Sequence, residues 1–268
     1  MATPFVAGVV ALAADPSGGA EIWACSKTPF AVREQLSNSL NVPKDKLVFH
    51  PNHIGGDFGG KGGSMDIPVC YFLSLKSGRP IKMVMDYNEE LTAANPRHAS
   101  IIHVKTGVKK DGTLMAREMT IYWGAGAYAE KSPTVCIRGS LPAPGPYRIP
   151  HVKVDGYAVY TNKPIAGSYR GYGIPQGAWA GEQQMDELAK KLGMTPIEIR
   201  MKNIFVEGDV SYWGEQLHAV GLKETLIKAT EAIEYGKKSP QQRPGVKIGK
   251  GFACIQKPTR SPTTSAAT

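Results

Sequence analysis

Apolar and polar positions follow readable periods along most of the chain. Val6–Ala14 is an apolar run ending in the turn Asp15-Pro16-Ser17-Gly18-Gly19, and Glu21–Ser26 follows it, so the two predict a strand hairpin. Thr28 is placed to cap a helix opening on Pro29, with Phe30, Val32, Leu36 and Leu40 on its apolar face and Val42-Pro43 closing it. Lys46–His50 predicts a short strand, Met65–Ser77 an apolar helix and Pro80–Met85 another strand. Ser100–Lys109 and Thr113–Trp123 alternate in polarity around Lys110-Asp111-Gly112, the pattern of a hairpin. Gly124–Pro150 is rich in Gly and Pro and is expected to be irregular. Val152–Tyr160 returns to a strand.

The second half is more helical. Over Pro175–Leu192, residues Ala178, Gly181, Met185, Leu188, Ala189 and Leu192 share a face, and Gly193 ends the helix. Thr195-Pro196-Ile197-Glu198 is a capping box opening the next helix, and Leu222–Tyr235 is a further one. Gly249–Gln256 is expected as a last strand. Strands and helices mix without regular alternation, so the fold class is α+β, mixed sheets with packed helices. Residues 1–236 are expected to form one domain. Residues 237–268 would be a linker and the opening of a second half that the chain does not contain, because the final strand and the Thr/Ser/Ala/Pro tail lack a following element.

Composition narrows the function classes. The net charge is +9. No basic cluster is interleaved with aromatics, and Lys237-Lys238 with Arg243 lies in linker-like sequence, so nucleic acid is not the expected partner. No apolar run reaches the length of a membrane span, and no Lys or Arg precedes the run at Val6, so neither membrane nor signal peptide is expected. The four cysteines form no Cys-x-x-Cys pair. They read as buried free thiols suited to a reducing cytoplasm, and not as iron–sulfur ligands. The six histidines show no metal-ligand spacing, and Glu89, Glu90 and Glu182 read as ordinary helix or surface charges.

Two segments could carry chemistry. Gly55–Gly63 holds six glycines in nine residues and can expose backbone N–H groups to a closely approaching ligand. Neither nucleotide phosphate motif fits it: Gly62 follows Lys61 where a P-loop has Ser or Thr, and the Gly-x-Gly-x-x-Gly spacing is absent. Ser168-Tyr169-Arg170-Gly171-Tyr172-Gly173 precedes a long helix, whose N-terminus favours an anion or oxo group. Taken alone, each is equally readable as a structural turn or a helix entry.

Together, Gly-Gly-x-Phe-Gly-Gly-Lys and Arg-Gly-Tyr-Gly-x-Pro-Gln resemble the molybdopterin-binding subunit of the xanthine dehydrogenase/aldehyde oxidase family. Thr28-Pro29-Phe30 with Arg33, Gly78-Arg79-Pro80-Ile81-Lys82, Asn95-Pro96-Arg97-His98, Tyr147-Arg148-Ile149-Pro150 and Arg200-Met201-Lys202-Asn203 stand in the family's order. The resemblance implies the first molybdenum-cofactor-binding domain of that fold, with the molybdenum-molybdopterin cofactor shared with a second half. Gly56, Phe58, Gly59 and Gly60 would lie against the molybdenum centre and offer N–H groups. Arg170, Gly171 and Gly173 would approach the pterin. Tyr172 would wall the substrate channel, and Arg138 would orient a small-molecule substrate.

No catalytic residue and no metal ligand is assigned to this chain, because the family's general-base Glu and its Gly-Gln-Gly segment lie in the second half. The implied partners are the remainder of the large subunit, an iron–sulfur subunit carrying 2Fe-2S clusters and a flavin subunit carrying FAD. Self-association of an exposed apolar face is also expected. Three positions depart from the family's pattern: Asp57 stands where many members have Gly, Gly62 where purine-oxidising members have Glu, and Lys27 where Gln is common. Without the Glu at Gly62, the resemblance points away from xanthine and toward an aldehyde or another N-heterocycle, and without the second half the chain is expected to be inactive alone. The rival readings are a non-catalytic cofactor-binding or assembly module of the same fold, and an unrelated nucleotide-binding protein.

Overall fold

A computed structural model describes residues 10–62, 66–237 and 244–258, which divide into two compact units. Of the described residues, the first comprises those up to 99 with 124–133 and 159–172, and the second the remainder. The α+β expectation is met.

The first unit is built on a four-stranded sheet in the order β3-β2-β1-β4, with β1 at Val10–Ala14, β2 at Ala20–Ala24, β3 at Leu47–Pro51 and β4 at Ile81–Met83. β1 runs antiparallel to β2 and β4, whereas β2 and β3 are parallel and are joined through helix α1 (Pro29–Leu40). Ile22 and Leu47 from the sheet, Val32 and Leu36 from α1, and Ile67, Cys70 and Tyr71 from α2 (Asp66–Ser77) form its core. Two polar side chains secure α2. The Ser74 hydroxyl accepts the Ala14 N–H at 3.0 Å, and the Tyr71 hydroxyl donates to the Gly18 carbonyl at 2.9 Å. The predicted strand at Val6 and helix at Met65 begin at residues outside those described.

Helix α3 (Tyr87–Ala93) is an element not expected from the apolar periodicity, although Asp86 and Glu89 make a full capping box, a signal present in the sequence. Glu90 on this helix is buried, contrary to its reading as an ordinary charge.

The second unit rests on a sheet ordered β5-β6-β7: β5 Ser100–Val108, β6 Leu114–Gly126 and β7 His151–Tyr160. β5 alternates strictly between more and less exposed positions, as its sequence predicts. β6 buries Leu114, Met119, Ile121 and Trp123. Arg117 is also buried there, donating to the Pro144 carbonyl at 2.7 Å and to the Thr106 hydroxyl at 3.0 Å. Helix α5 (Ile174–Leu192) lays Met185 and Ala189 into a core shared with α6 (Pro196–Asn203) and α7 (Leu222–Ala232).

Three expectations need correction. Gly124–Pro150 is not irregular throughout: it contains the end of β6 and helix α4, Ser132–Ser140. Ser132-Pro133 is a helix opening that the surrounding glycines and prolines obscure. Gly249–Gln256 pairs with no strand. It is fixed instead by the buried Cys254, whose N–H donates to Glu182 at 2.7 Å. Glu182 is therefore no surface charge. It also accepts from the Tyr147 hydroxyl and, at 2.9 Å, from Nε of Arg200, which is wholly buried. Burial alone would lower the Arg200 pKa, but Glu182 and Asp186 hold it above the usual arginine value. Among the cysteines, all free, Cys70, Cys136 and Cys254 are buried, while Cys25 is partly exposed.

Candidate functional site

Residues 55–62 and 168–172 of the two glycine loops belong to the first unit and touch backbone to backbone. A Cβ on Gly59 would stand 2.8 Å from the carbonyl carbon and oxygen of Ser168, closer than any side chain tolerates, and its φ is +103°. Glycine is thus required twice over at this position, by contact and by conformation. A Cβ on Gly56 would meet the Phe58 ring at 2.7 Å, so the ring folds back over that glycine. Phe58 itself is left-handed (φ 46°), as is Tyr172 (φ 52°) between Gly171 and Gly173, both at φ 93°. Each such non-glycine residue costs about 1–2 kcal/mol. That strain is retained only where the surroundings enforce it.

Asp57 does much of the enforcing. Its carboxylate accepts the N–H of Gly59 at 2.8 Å and of Lys61 at 3.0 Å, and its carbonyl accepts the N–H of Gly60 at 2.9 Å. Lys27 pairs with it at 2.8 Å. Burial pushes the Asp57 carboxyl up, but Lys27 and the two N–H donors outweigh that and hold it below the usual carboxylate range. Gly59 and Gly60 consequently spend their N–H groups inside the loop. Gly56, by contrast, keeps an N–H engaged by none of the described residues. The Lys61 ammonium closes the loop on the Ile54 carbonyl.

Thr28 does not cap α1 with its side chain. Its hydroxyl donates instead to the Gly62 carbonyl at 2.9 Å, and the Lys27 N–H donates to the Lys61 carbonyl at 3.0 Å.

A ladder of cations and rings joins the second loop to the first. The Arg97 guanidinium lies 4.6 Å from the Tyr169 ring centroid and donates to the Arg170 carbonyl at 2.6 Å. The Arg170 guanidinium in turn lies 5.4 Å from the Phe58 ring centroid. Burial lowers the pKa of Arg97, and its Nη1 is buried without a partner among the described residues. His98, next in sequence, is buried with Nε2 2.7 Å from the Ser132 hydroxyl.

Phe58, Gly59 and Arg170 are therefore brought together, with Gly56 beneath the Phe58 ring. Arg138 lies on α4 and Gly173 at the start of α5, both in the second unit. The sequence gives no sign of Arg97 or Lys27 as parts of this site beyond their place in family landmarks.

The family described as the molybdopterin cofactor-binding domain matches residues 6–204. The chain belongs to that family. Among relatives of this molybdopterin cofactor-binding domain, the nicotinate dehydrogenase large molybdopterin subunit of Eubacterium barkeri is 39% identical over 225 residues, covering 82% of this chain and 52% of that protein. The xanthine dehydrogenase molybdenum-binding subunit of Escherichia coli is 31% identical over 235 residues, covering 86% of this chain and 31% of that protein. The aldehyde oxidoreductase of Desulfovibrio gigas superposes with a TM-score of 0.79 at 28% identity, over 87% of this chain and 26% of that one. The molybdopterin cofactor-binding domain thus spans about half or less of the length of these relatives.

The residues present fit a bulky oxygen-bearing cofactor. The glycines let the two loops pack backbone to backbone at Gly59 and Ser168, and the orphaned Arg97 Nη1 beside the second loop is a donor that a ligand oxygen would satisfy. The acidic Asp57 is turned onto its own loop and Lys27, which removes the penalty of a bare carboxylate beside a metal–oxo group. Among the described residues no group of three or more His, Cys, Asp or Glu could hold a metal ion by itself, and no helix is long and apolar enough to cross a membrane. A second cleft, of about 730 Å³ between Leu114, Ile149, Phe205 and Tyr212, lies in the second unit. Its cations have protein partners: Arg148 donates to the Lys202 carbonyl at 2.9 Å, and Lys202 pairs with Asp111 at 3.3 Å.

Proposed function

We propose that this chain forms one wall of the cofactor pocket of a molybdenum hydroxylase acting on an N-heterocycle or an aldehyde. The observation that carries the reading is the backbone contact of the two glycine loops at Gly59 and Ser168, with Arg170 stacked on Phe58. When bound, the cofactor supplies the two-electron oxidation and the oxygen transfer from water to carbon; the protein supplies position and electrostatics. In this reading Gly56, Phe58, Gly59 and Gly60 face the metal end of the cofactor, Gly56 with an N–H that none of the described residues engages. Arg170, Gly171 and Gly173 face the pterin. Tyr172 walls the substrate channel and Arg138 orients the substrate.

The absence of a Glu at Gly62 favours a pyridine-type ring or an aldehyde over xanthine, and the substrate printed in the name of the nicotinate dehydrogenase relative makes nicotinate the first ring to try. In this reading the general base and the remaining cofactor contacts lie outside residues 1–268, and iron–sulfur and flavin subunits carry the electrons away, so these residues by themselves would not complete the reaction. Exposed apolar residues on α2, among them Val69, Phe72 and Leu73, support coverage by such a partner.

Purification from the native host tests this directly. Near-stoichiometric molybdenum and pterin, copurifying chains identified by mass spectrometry, and oxidation of nicotinate in preference to hypoxanthine are expected. Metal-free, pterin-free protein without companions would overturn the assignment and favour the assembly-module reading.

A further inference from the structure

The glycine loop has no strand or helix to order it, and its glycines resist ordering entropically. What holds it is a short segment far away in sequence. Lys27 reaches Asp57 with its ammonium at 2.8 Å and the Lys61 carbonyl with its N–H at 3.0 Å, while the Thr28 hydroxyl holds the Gly62 carbonyl at 2.9 Å. Asp57 passes that restraint on: by accepting the Gly59 and Lys61 N–H groups it fixes the left-handed turn at Phe58 and Gly59. That turn is what sets the Phe58 ring under Arg170 and Gly59 against Ser168. Lys27 and Asp57 are also two of the three departures from the family's pattern, and each is the other's partner.

We infer that Lys27 and Asp57 form a single clasp that pre-organises the glycine loop for the cofactor, with Asp57 a positioning residue acting through the Gly59 and Lys61 amides. A charge alone at Lys27 or an acceptor alone at Asp57 would not do this; the two work as one unit. The inference rests on the cofactor-pocket reading for its purpose, but not for its geometry.

The test uses the protein purified with its companion chains from the native host, as Lys27→Met, Lys27→Arg, Asp57→Ala and the Lys27→Met/Asp57→Ala double variant. Three readouts are taken: hydrogen exchange over residues 55–62, molybdenum and pterin retained per chain after dialysis, and the paramagnetic resonance spectrum of the reduced metal. Asp57→Ala is expected to speed exchange of the Gly59 and Lys61 amides about tenfold, the scale of one charge-assisted hydrogen bond, and Lys27→Met, which removes a solvent-screened partner, about two- to fivefold. Both should lower cofactor retention and shift the resonance, and the double variant should be no worse than Asp57→Ala. Lys27→Arg should restore all three readouts.

Wild-type exchange in either single variant, multiplying effects in the double variant, or no rescue by Lys27→Arg would overturn the clasp. Exchange over the β5–β6 hairpin identifies a variant that has merely unfolded; in that case Asp57→Asn, which keeps the acceptor and loses the charge, gives the deciding comparison and should exchange faster than wild type. Wild-type protein lacking molybdenum and pterin would sink the pocket reading, while the exchange data would still decide the clasp.

Discussion

Replacing Glu182 by Ala should destabilise the second unit more than any surface change. The carboxylate takes the Tyr147 hydroxyl, the Cys254 N–H at 2.7 Å and the Arg200 Nε at 2.9 Å. Its side chain is 7% exposed and that of Arg200 0%. Removing one member of a buried ion pair costs about 3–5 kcal/mol, because the remaining charge is left unpaired in a medium that solvates it poorly. Arg200 retains Asp186 at 2.7 Å and the Pro196 carbonyl at 2.8 Å. Asp186 is 46% exposed and its attraction is screened, so the expected loss stays near the lower end, about 3 kcal/mol. With a urea dependence of about 3 kcal/mol per molar, the midpoint falls by about 1 M. Tryptophan fluorescence follows it, since the wholly buried Trp123 reports on this unit. The paired replacement Glu182→Leu with Arg200→Met should lose less than Glu182→Ala, because no charge is stranded. A midpoint shift below about 0.3 M for Glu182→Ala, or a paired variant worse than the single one, would refute this account.

Three further outcomes follow from the same structure. Gly59→Ala places a methyl 2.8 Å from Ser168 at a φ of +103°, and should cost about 1–3 kcal/mol and lower pterin content, both measured on the purified protein. Thr195→Ala removes the α6 capping box and should cost about 1 kcal/mol by urea titration, with Thr195→Ser close to wild type. His98 is buried, and burial depresses its pKa. The folded state therefore binds fewer protons, so the His98 contribution is intact above the ordinary imidazole value of about 6.5 and is lost as pH falls through the folded value. Melting temperature should accordingly drop on acidification from about pH 7 to about pH 5, and a His98→Gln variant should show a shallower slope over that interval.

Much of the fold was legible because burial imposes its period on the sequence. The β5–β6 hairpin around Lys110-Asp111-Gly112, the α5 stripe ending at Gly193 and the Thr195–Glu198 box all carry local signals that the folded chain uses. Where the reading fails, a distant partner displaces the local preference. Thr28 has the chemistry of a cap but finds the Gly62 carbonyl 34 residues away. Gly249–Gln256 has the composition of a strand but is anchored by Glu182 through one backbone N–H. Glu182 itself left a trace that could have been found: an acid three residues before Met185 and seven before Ala189 sits on the apolar stripe, and a charge there needs a buried partner. The two loops were visible as glycine, but their contact was not. Neither was the pairing of Lys27 with Asp57, because no periodicity links residues so far apart.

The division of the chain between its units has a temporal consequence. The first unit is assembled from three separated stretches, and the glycine loop that ends near residue 62 meets its partner at Ser168 only after more than a hundred further residues have been made. At ribosomal rates of about 5–20 residues per second, the earlier loop waits roughly 5–20 s for its counterpart. During that interval no nascent chain can present both backbones to a ligand. A ligand that needs both loops therefore meets them together only after residue 168 has been made, and until then the earlier loop has only the restraints that residues 27 and 28 already supply.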